Sequence, residues 1–261
     1  MVASALMNVM VAAVRKAGRS LSRDYGEVAQ LQVSIKGPGD FVSAADMKAE
    51  EILYRELAKA RQGYSFLMEE RGAVAGDDKT HRWIVDPLDG TTNFLHSIPL
   101  FAISVALERE GEIVAGVIYN PASDELYTAE KGKGAFLNDR RLRVAGRRAL
   151  SECVVAVGIP PRGRLGHKQF LAECEAAMRE TAGVRSTGAA SLDLAWVASG
   201  RFDAYIERGL QPWDIAAGIL FVREAGGMVS DAGGGEKMLQ SGGVLAANNQ
   251  IHKHMMALLK N

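Results

Sequence analysis

The order of the predicted elements is the feature that most constrains this fold. Two amphipathic helix patterns open the chain, closely spaced β-rich segments follow, and strands alternate with helices after about residue 150. Such an order predicts an α/β protein in which an antiparallel-rich sheet flanked by helices is joined to a layered strand-and-helix half. Because no linker separates the two parts, we predict that residues 1–261 form a single domain of two interlocked halves, about 1–150 and 151–261.

Hydrophobic spacing and turn residues predict the individual elements. Leu6, Met10 and Val14 follow helical spacing, and a second helix is predicted from Ser43 to about Gln62, with Ser43 as its N-cap. Strands are expected at residues 64–68, 83–85, 101–107, 113–119, 126–129, 134–137, 154–158, 203–207, 228–230 and 244–247. Further helices are expected at residues 167–180, 191–199, 213–225 and 249–259.

Charge and cysteine content exclude several classes of protein. The 31 basic and 31 acidic residues cancel, so bulk electrostatics favours neither nucleic acid nor a membrane surface as a partner. Cys153 and Cys174 are the two cysteines and have no CxxC spacing, which indicates reduced thiols rather than a disulfide framework or a zinc site. No apolar run reaches the ~18 residues of a membrane span, and Arg15 and Lys16 follow the apolar N-terminal stretch instead of preceding it. We expect a cytoplasmic protein.

The most informative motif runs from Trp83 to Phe94, where an apolar strand leads into Asp86, Asp89, Gly90 and Thr91. Because a proline cannot donate to a strand ladder, the strand is expected to stop near Asp86, just before Pro87. Carboxylates hold hard divalent cations, and backbone N–H groups at a helix start hold an anion. A loop with both suits a phosphate bridged to metal. The alternative is a capped turn with surface acids. It is the better interpretation of any one of these acids alone, whereas the site is the better interpretation of the whole segment.

Two other acidic positions follow apolar segments. Glu69 and Glu70 come directly after a predicted strand, and Asp214 lies in the first turn of an apolar helix. Read alone, Asp214 is an ordinary helix cap and the glutamate pair belongs to a solvated loop.

Together, these segments resemble the inositol monophosphatase family of magnesium-dependent, lithium-sensitive phosphatases. The string from Asp86 to Thr92 matches the first family signature, and the segments from Trp213 to Gly218 and from Glu224 to Gly227 match the second. Residues 36–46 and the Glu69-Glu70 pair also correspond, so the similarity extends from about residue 5 to 257. The resemblance implies a layered αβαβα sandwich and a homodimer.

The resemblance also assigns roles to individual residues. A first magnesium ion would be held by Glu69, Asp86 and the Leu88 carbonyl, a second by Asp86, Asp89 and Asp214, and a third through water on Glu69. The catalytic residues implied are Glu69, Thr91 and Asp46, with the Thr91 hydroxyl orienting the attacking water. The substrate-binding residues implied are Asp89, Gly90, Thr91, Ala190, Glu207 and Asp214.

Three positions bear on how closely the family pattern is followed. Met68 replaces a small residue before the glutamate pair, and Gln211 stands where some members carry a histidine near the substrate. Lys36 matches a lysine near the first loop.

Several functions are compatible with the resemblance. Inositol-1-phosphate hydrolysis by metal-activated water is favoured over 3'-phosphoadenosine phosphatase activity, because Thr92-Asn93 stands where bisphosphate nucleotidases carry Lys-Glu. Fructose-1,6-bisphosphatase and histidinol-phosphate phosphatase activities remain alternatives. A regulatory scaffold in transcription, as in extragenic suppressor proteins, is an alternative of another class. The arginines from Arg140 to Arg148 would then contact RNA or an acidic partner, although a solvated edge strand explains them better.

Overall fold

The computed structural model describes residues 4–27, 33–37, 40–163 and 165–259. The helices are α1 (Ala5–Tyr25), α2 (Ala44–Ala60), α3 (Thr91–Leu95), α4 (His167–Glu180), α5 (Ala190–Ala198), α6 (Pro212–Glu224), α7 (Met238–Ser241) and α8 (Asn249–Leu258). The strands are β1 (Val33–Gly37), β2 (Asp40–Ser43), β3 (Ser65–Met68), β4 (Gly72–Val74), β5 (His81–Asp89), β6 (Ala102–Arg109), β7 (Glu112–Asn120), β8 (Glu125–Glu130), β9 (Gly134–Leu137), β10 (Arg140–Arg141), β11 (Val154–Val157), β12 (Gly183–Arg185), β13 (Ala204–Glu207), β14 (Met228–Ser230) and β15 (Val244–Ala247).

The first half of the chain builds an eight-stranded sheet in the order β10-β9-β8-β7-β6-β5-β3-β4. Its neighbours pair antiparallel except for β3 and β5, which run parallel. The parallel pair brings the carboxyl ends of β3 and β5 to the same edge of the sheet, which is where the acidic motifs lie.

Strand β5 does not stop before Pro87, and that prediction is wrong. The strand continues to Asp89 because its register against β6 shifts: Asp86 pairs with Ser104, whereas Asp89 pairs with Ala102. One extra residue on β5 forms a bulge, and a bulge accommodates a proline that cannot donate to the ladder. The bulge keeps both aspartates on a strand instead of a loop.

The second half builds a five-stranded sheet in the order β12-β11-β13-β15-β14. Strand β11 pairs parallel with β12 and β13, and the other two pairings are antiparallel. Strand β13 is central in this sheet and carries Tyr205 and Glu207.

The helices and sheets stack in five layers, and three hydrophobic clusters pack between them. Helices α1 and α2 cover one face of the large sheet, α5 and α6 fill the space between the sheets, and α4 and α8 cover the outer face of the small sheet. In α6 every residue from Ile215 to Val222 is buried, as expected of a helix that is apolar on all sides. The predicted αβαβα sandwich is confirmed.

The elements absent from the sequence prediction are short. They are the β1–β2 hairpin, β4, α3, β12 and α7. Strand β10 is a two-residue edge strand with both arginines exposed, in agreement with the solvated-edge interpretation of Arg140 and Arg141. In the described residues, no helix is long and apolar enough to cross a membrane.

Candidate active site

The β5 bulge and the turn after it place the first group of site residues. Inside the bulge, the Leu88 N–H donates to Asp86 Oδ1 at 2.9 Å, which fixes that carboxyl group. Gly90 then adopts a left-handed conformation (φ 87°) and starts α3. A β-carbon on Gly90 would lie 2.8 Å from the Leu100 carbonyl oxygen, so only glycine fits this turn.

Glu69 is brought to Asp86 by the parallel pairing of β3 and β5. Met68 pairs with Val85, and the Glu69 N–H donates to the Val85 carbonyl at 3.2 Å, so Glu69 and Asp86 lie side by side. The Glu69 carboxyl group is close enough to Asp86 to raise its pKa further. Met68, which replaces a small residue of the family pattern, is fully buried in the core behind this pair.

Asp214 enters the same cluster from the first turn of α6, more than a hundred residues further along the chain. The Gln211 N–H donates to Asp214 Oδ2 at 2.7 Å, so the aspartate caps the helix as well as facing the other acids. The helix-cap interpretation and the site interpretation of Asp214 therefore hold together.

Burial and mutual repulsion dominate the electrostatics of the cluster. Burial raises the pKa of Asp86 and of Asp214 well above the ordinary value, and nearby carboxylates add to both shifts. Burial also raises the pKa of Asp89 to about 6, although the Ser191 hydroxyl and the N–H groups of Ala190 and Ser191 hydrogen-bond to it. These N–H groups lie at the start of α5, which also places Ala190, itself buried, beside Asp89.

A hard divalent cation needs several oxygen donors around one position. Among the side chains that the structure describes, no group of three or more acids, histidines or cysteines is arranged so that it could hold a metal ion as it stands. The chemistry of the cluster nevertheless fits a hard divalent cation, because Asp86 is buried and the charges of Glu69, Asp89 and Asp214 all raise its pKa. A cation would neutralise that repulsion.

Asp46 and Thr91 form a second hydrogen-bonded group next to the acids. Asp46 belongs to a capping box: its Oδ2 accepts the Ser43 N–H at 2.9 Å at the start of α2. The Thr91 hydroxyl lies 3.1 Å from Asp46 Oδ1 and 3.0 Å from the Leu88 carbonyl oxygen, and it donates to one of them. Burial raises the pKa of Asp46. The predicted pairing of Thr91 with Asp46 is present.

Glu207 lies at the end of β13, on the side of the site opposite the β5 motif. Burial raises its pKa to about 7, and the charge of Asp89 adds to the shift. The Tyr205 hydroxyl donates to Glu207 Oε2, and Glu207 lines a cavity together with Gly158 and Arg208. The Lys36 side chain lies outside the described residues.

Sequence reasoning missed two residues that support the site. Buried Glu50 accepts the Glu70 N–H at 2.8 Å and so ties the glutamate loop to α2. Asn93 Nδ2 donates to the carbonyls of Leu100 and Thr187, both at 2.7 Å, and thereby links the two halves. A usable signal existed for Glu50 alone, because it falls one helical turn after Asp46 on the face that carries the apolar residues of α2.

Comparison with known proteins identifies the family. The model of the inositol monophosphatase family matches residues 3–261. The chain belongs to this family. It is 64% identical over 260 residues to an inositol-1-monophosphatase of Mesorhizobium japonicum, covering 100% of this chain and 98% of the relative. It is 40% identical over 256 residues to Nus factor SuhB of Escherichia coli K12, covering 98% and 96%.

A solved structure agrees with this assignment. The native crystal structure of extragenic suppressor protein SuhB from Bartonella henselae matches with a TM-score of 0.97, 58% sequence identity and 99% coverage of both chains. The resemblance inferred from the two motifs is therefore confirmed, and the chain is a phosphatase, a phosphoric monoester hydrolase.

Proposed function

We propose that this phosphatase hydrolyses inositol-1-phosphate to inositol and phosphate, with magnesium ions and a water nucleophile. The observation that carries the proposal is the cluster of buried Asp86 with partly buried Glu69, Asp89 and Asp214, next to the left-handed turn at Gly90. Repulsion among these acids makes the site selective for cations, and a phosphate dianion is attracted only once that charge has been neutralised.

Two or three magnesium ions are proposed per site. Glu69, Asp86 and the Leu88 carbonyl would hold the first ion, Asp86, Asp89 and Asp214 the second, and Glu69 a third through water. When bound, such ions lower the pKa of water and stabilise the leaving alkoxide. The chain itself positions the ligands, through the β5 bulge, the Ser191 contact to Asp89 and the Gln211 contact to Asp214.

Thr91 is proposed to orient the attacking water. When its hydroxyl donates to Asp46 Oδ1, the lone pairs of its oxygen are left to accept a hydrogen bond from water. The N–H groups of Gly90 and Thr91 at the turn into α3 are proposed to bind the phosphate, with Asp89 and Asp214 also in contact with the substrate. Glu207 would accept hydrogen bonds from hydroxyls of the alcohol, and Ala190 would pack against its ring.

The test is hydrolysis of inositol-1-phosphate by the wild type, after chelation and after magnesium is added back. We expect loss and recovery of turnover, inhibition by lithium, and a fall of about 100-fold or more in kcat for Asp86→Asn. Asp203→Asn is the matched control, because Asp203 is also a buried aspartate but contacts Val154 N–H and Arg147 in the small sheet. Turnover without any divalent ion would contradict the proposal.

A panel of substrates tests the choice of alcohol. Inositol-1-phosphate, fructose-1,6-bisphosphate and histidinol phosphate share the same phosphate chemistry, so their kcat/KM values rank the three candidate activities. A higher kcat/KM for fructose-1,6-bisphosphate or for histidinol phosphate would make that compound the proposed substrate instead.

A scaffold function in transcription is the second candidate. The relative named Nus factor SuhB favours it. Binding to a transcription complex should survive Asp86→Asn and be lost when Arg140 and Arg141 are changed to Glu. The opposite pattern would remove this candidate.

We also propose a homodimer. Leu171 and Met178 lie seven residues apart on α4, on one face of the helix, and their exposed fractions are 64% and 60%. Exposed apolar residues on an outer helix suit an interface between copies. Sedimentation velocity should give a dimer for the wild type and a monomer for Leu171→Glu with Met178→Glu; a monomeric wild type would contradict this.

We propose a cytoplasmic location, since Cys153 and Cys174 are free thiols, as expected of a reducing compartment. Fractionation of cells that produce the protein tests it, and recovery in a secreted or membrane fraction would contradict it.

A further inference from the structure

Tyr205 is a buried residue next to the site with no role in the function proposed above. It lies two positions before Glu207 on β13, so both side chains point to the same face of the small sheet. Tyr205 is completely buried in the cluster between the sheets, and its hydroxyl donates to Glu207 Oε2.

The chemical environment fixes the direction of this hydrogen bond. Burial and the neighbouring carboxyl groups of Glu207 and Asp193 raise the pKa of Tyr205 well above its ordinary value. The phenol therefore keeps its proton and acts as the donor, and Glu207 Oε2 is the acceptor. This leaves Glu207 Oε1 available to accept from another donor.

Gly158 limits the positions open to the Glu207 carboxylate from the other side. It follows β11, and its N–H donates to the Ile206 carbonyl at 3.0 Å, so it lies next to Glu207 in the parallel ladder. A β-carbon at residue 158 would overlap the carboxylate of Glu207. The carboxylate is thus held between a hydroxyl donor and a backbone that has no side chain.

We propose that Tyr205 is a positioning residue that sets specificity for hydroxylated alcohols by holding Glu207 Oε2, so that Oε1 faces the substrate hydroxyl. The inference rests on the proposed function, since it assigns Glu207 to the alcohol part of the substrate. Tyr205 does not touch the substrate; it acts through Glu207. A preorganised acceptor loses less freedom on binding than a mobile one, and it discriminates against alcohols that cannot donate to it.

The experiment compares two substrates in the magnesium-loaded enzyme. The quantity measured is kcat/KM for the best polyol phosphate of the panel divided by kcat/KM for p-nitrophenyl phosphate, whose alcohol has no hydroxyl besides the ester oxygen. Tyr205→Phe keeps the ring and removes only the donor. We expect this ratio to fall about tenfold, mainly through KM for the polyol phosphate, the size expected for a hydrogen bond to a charged group.

A double-mutant cycle separates positioning from a general structural role. In the Glu207→Ala background, Tyr205→Phe should leave the ratio unchanged, because there is no carboxylate left to hold. Gly158→Ala should reduce the ratio as well, because the added methyl group displaces the carboxylate. An unchanged ratio in Tyr205→Phe, or an equal fall in both backgrounds, overturns the inference.

The matched control is Tyr127→Phe. Tyr127 is also fully buried, and its hydroxyl also donates to a glutamate two residues away, Glu125, at 2.9 Å, but this pair lies in the large sheet on β8. A similar loss of thermal stability in both variants, with the ratio altered only in Tyr205→Phe, supports the assignment. If the wild type turns over another polyol phosphate but not inositol-1-phosphate, the substrate proposal fails while the role of Tyr205 is still decided on that other substrate.

Discussion

At the scale of single residues, the cost of burying charge controls how this site responds to pH. Burial raises the pKa of Glu207 to about 7 and that of Asp89 to about 6. A carboxyl group with a raised native pKa binds its proton more tightly in the folded state. Its contribution to the free energy of unfolding is therefore fully present below the unfolded pKa, about 4, and is lost as pH rises through the native value.

We therefore predict that part of the stability of the metal-free protein is lost between about pH 4 and pH 7. His252 acts in the opposite direction, because burial lowers its pKa, so the prediction concerns the difference between the wild type and Glu207→Gln. Thermal unfolding in a chelator at pH 5 to 8 measures it. The melting temperature of the wild type should fall relative to that of Glu207→Gln as pH rises; parallel curves would contradict the shift.

At the scale of elements, the start of α2 serves both folding and the site. Ser43 caps the helix, and its N–H holds Asp46, which in turn lies within reach of the Thr91 hydroxyl. Ser43→Ala should cost about 1 kcal/mol of stability, as for other N-caps. It should also lower kcat severalfold, because Asp46 Oδ2 loses the hydrogen bond that the Ser43 hydroxyl donates to it.

The chain offers a matched control for this prediction. Ser4 caps α1 by accepting the Met7 N–H at 3.0 Å, far from the acidic cluster. Ser4→Ala should reduce the melting temperature to a similar extent with kcat unchanged. A similar loss of kcat in both variants would show that Ser43 acts through stability alone.

The length of an element decides whether it can be predicted from the sequence. Elements such as α2, α8 and β7 were predicted within a few residues, because the two helices each bury one face with a regular period and β7 is an apolar run between turns. Helix α1 was predicted from apolar residues up to Val14, but it continues to Tyr25. Strands β4, β10 and β12 are two or three residues long and carry no period. They exist because a neighbouring strand supplies hydrogen bonds. Strand β5 passes Pro87 for the same reason, since pairing with β6 outweighs the local preference.

For the site, the sequence predicts the local motifs but not the contacts that form when distant elements pack together. The motif around Asp86 and Asp89 is local and was read from the sequence directly. The approach of Asp214 to these acids was expected only from family resemblance, because no spacing rule connects α6 to β5. Ser191 and Tyr205 are ordinary residue types whose contacts to Asp89 and Glu207 arise only from the assembled layers.

At the scale of the whole molecule, α5 and α6 bind the two halves into one unit. Their residues pack in the same cluster as side chains of both sheets, and Asn93 hydrogen-bonds to Thr187 across the halves. Without residues 151–261, one face of the large sheet would lose its cover, and Asp214 would be missing from the site. We propose accordingly that residues 1–261 unfold as a single cooperative domain.

Hydrogen exchange of the native protein in increasing urea tests this prediction. Amides of β7, in the large sheet, and β13, in the small sheet, should exchange through an opening of the same free energy, equal to that of global unfolding. Two distinct free energies for these strands would instead show two separate domains.

The β5 bulge also decides which changes this scaffold tolerates as related enzymes diverge. Because Asp86 and Asp89 occupy register positions of an interior strand, inserting a residue between them would turn the remainder of the strand to the opposite face. The groups proposed to recognise the alcohol, Ala190 and Glu207, come from the other half, where each lies at the end of an element. New substrates can thus be acquired by exchanging side chains such as Ala190 and Glu207, while the acids of β5 and Asp214 of α6 are inherited intact.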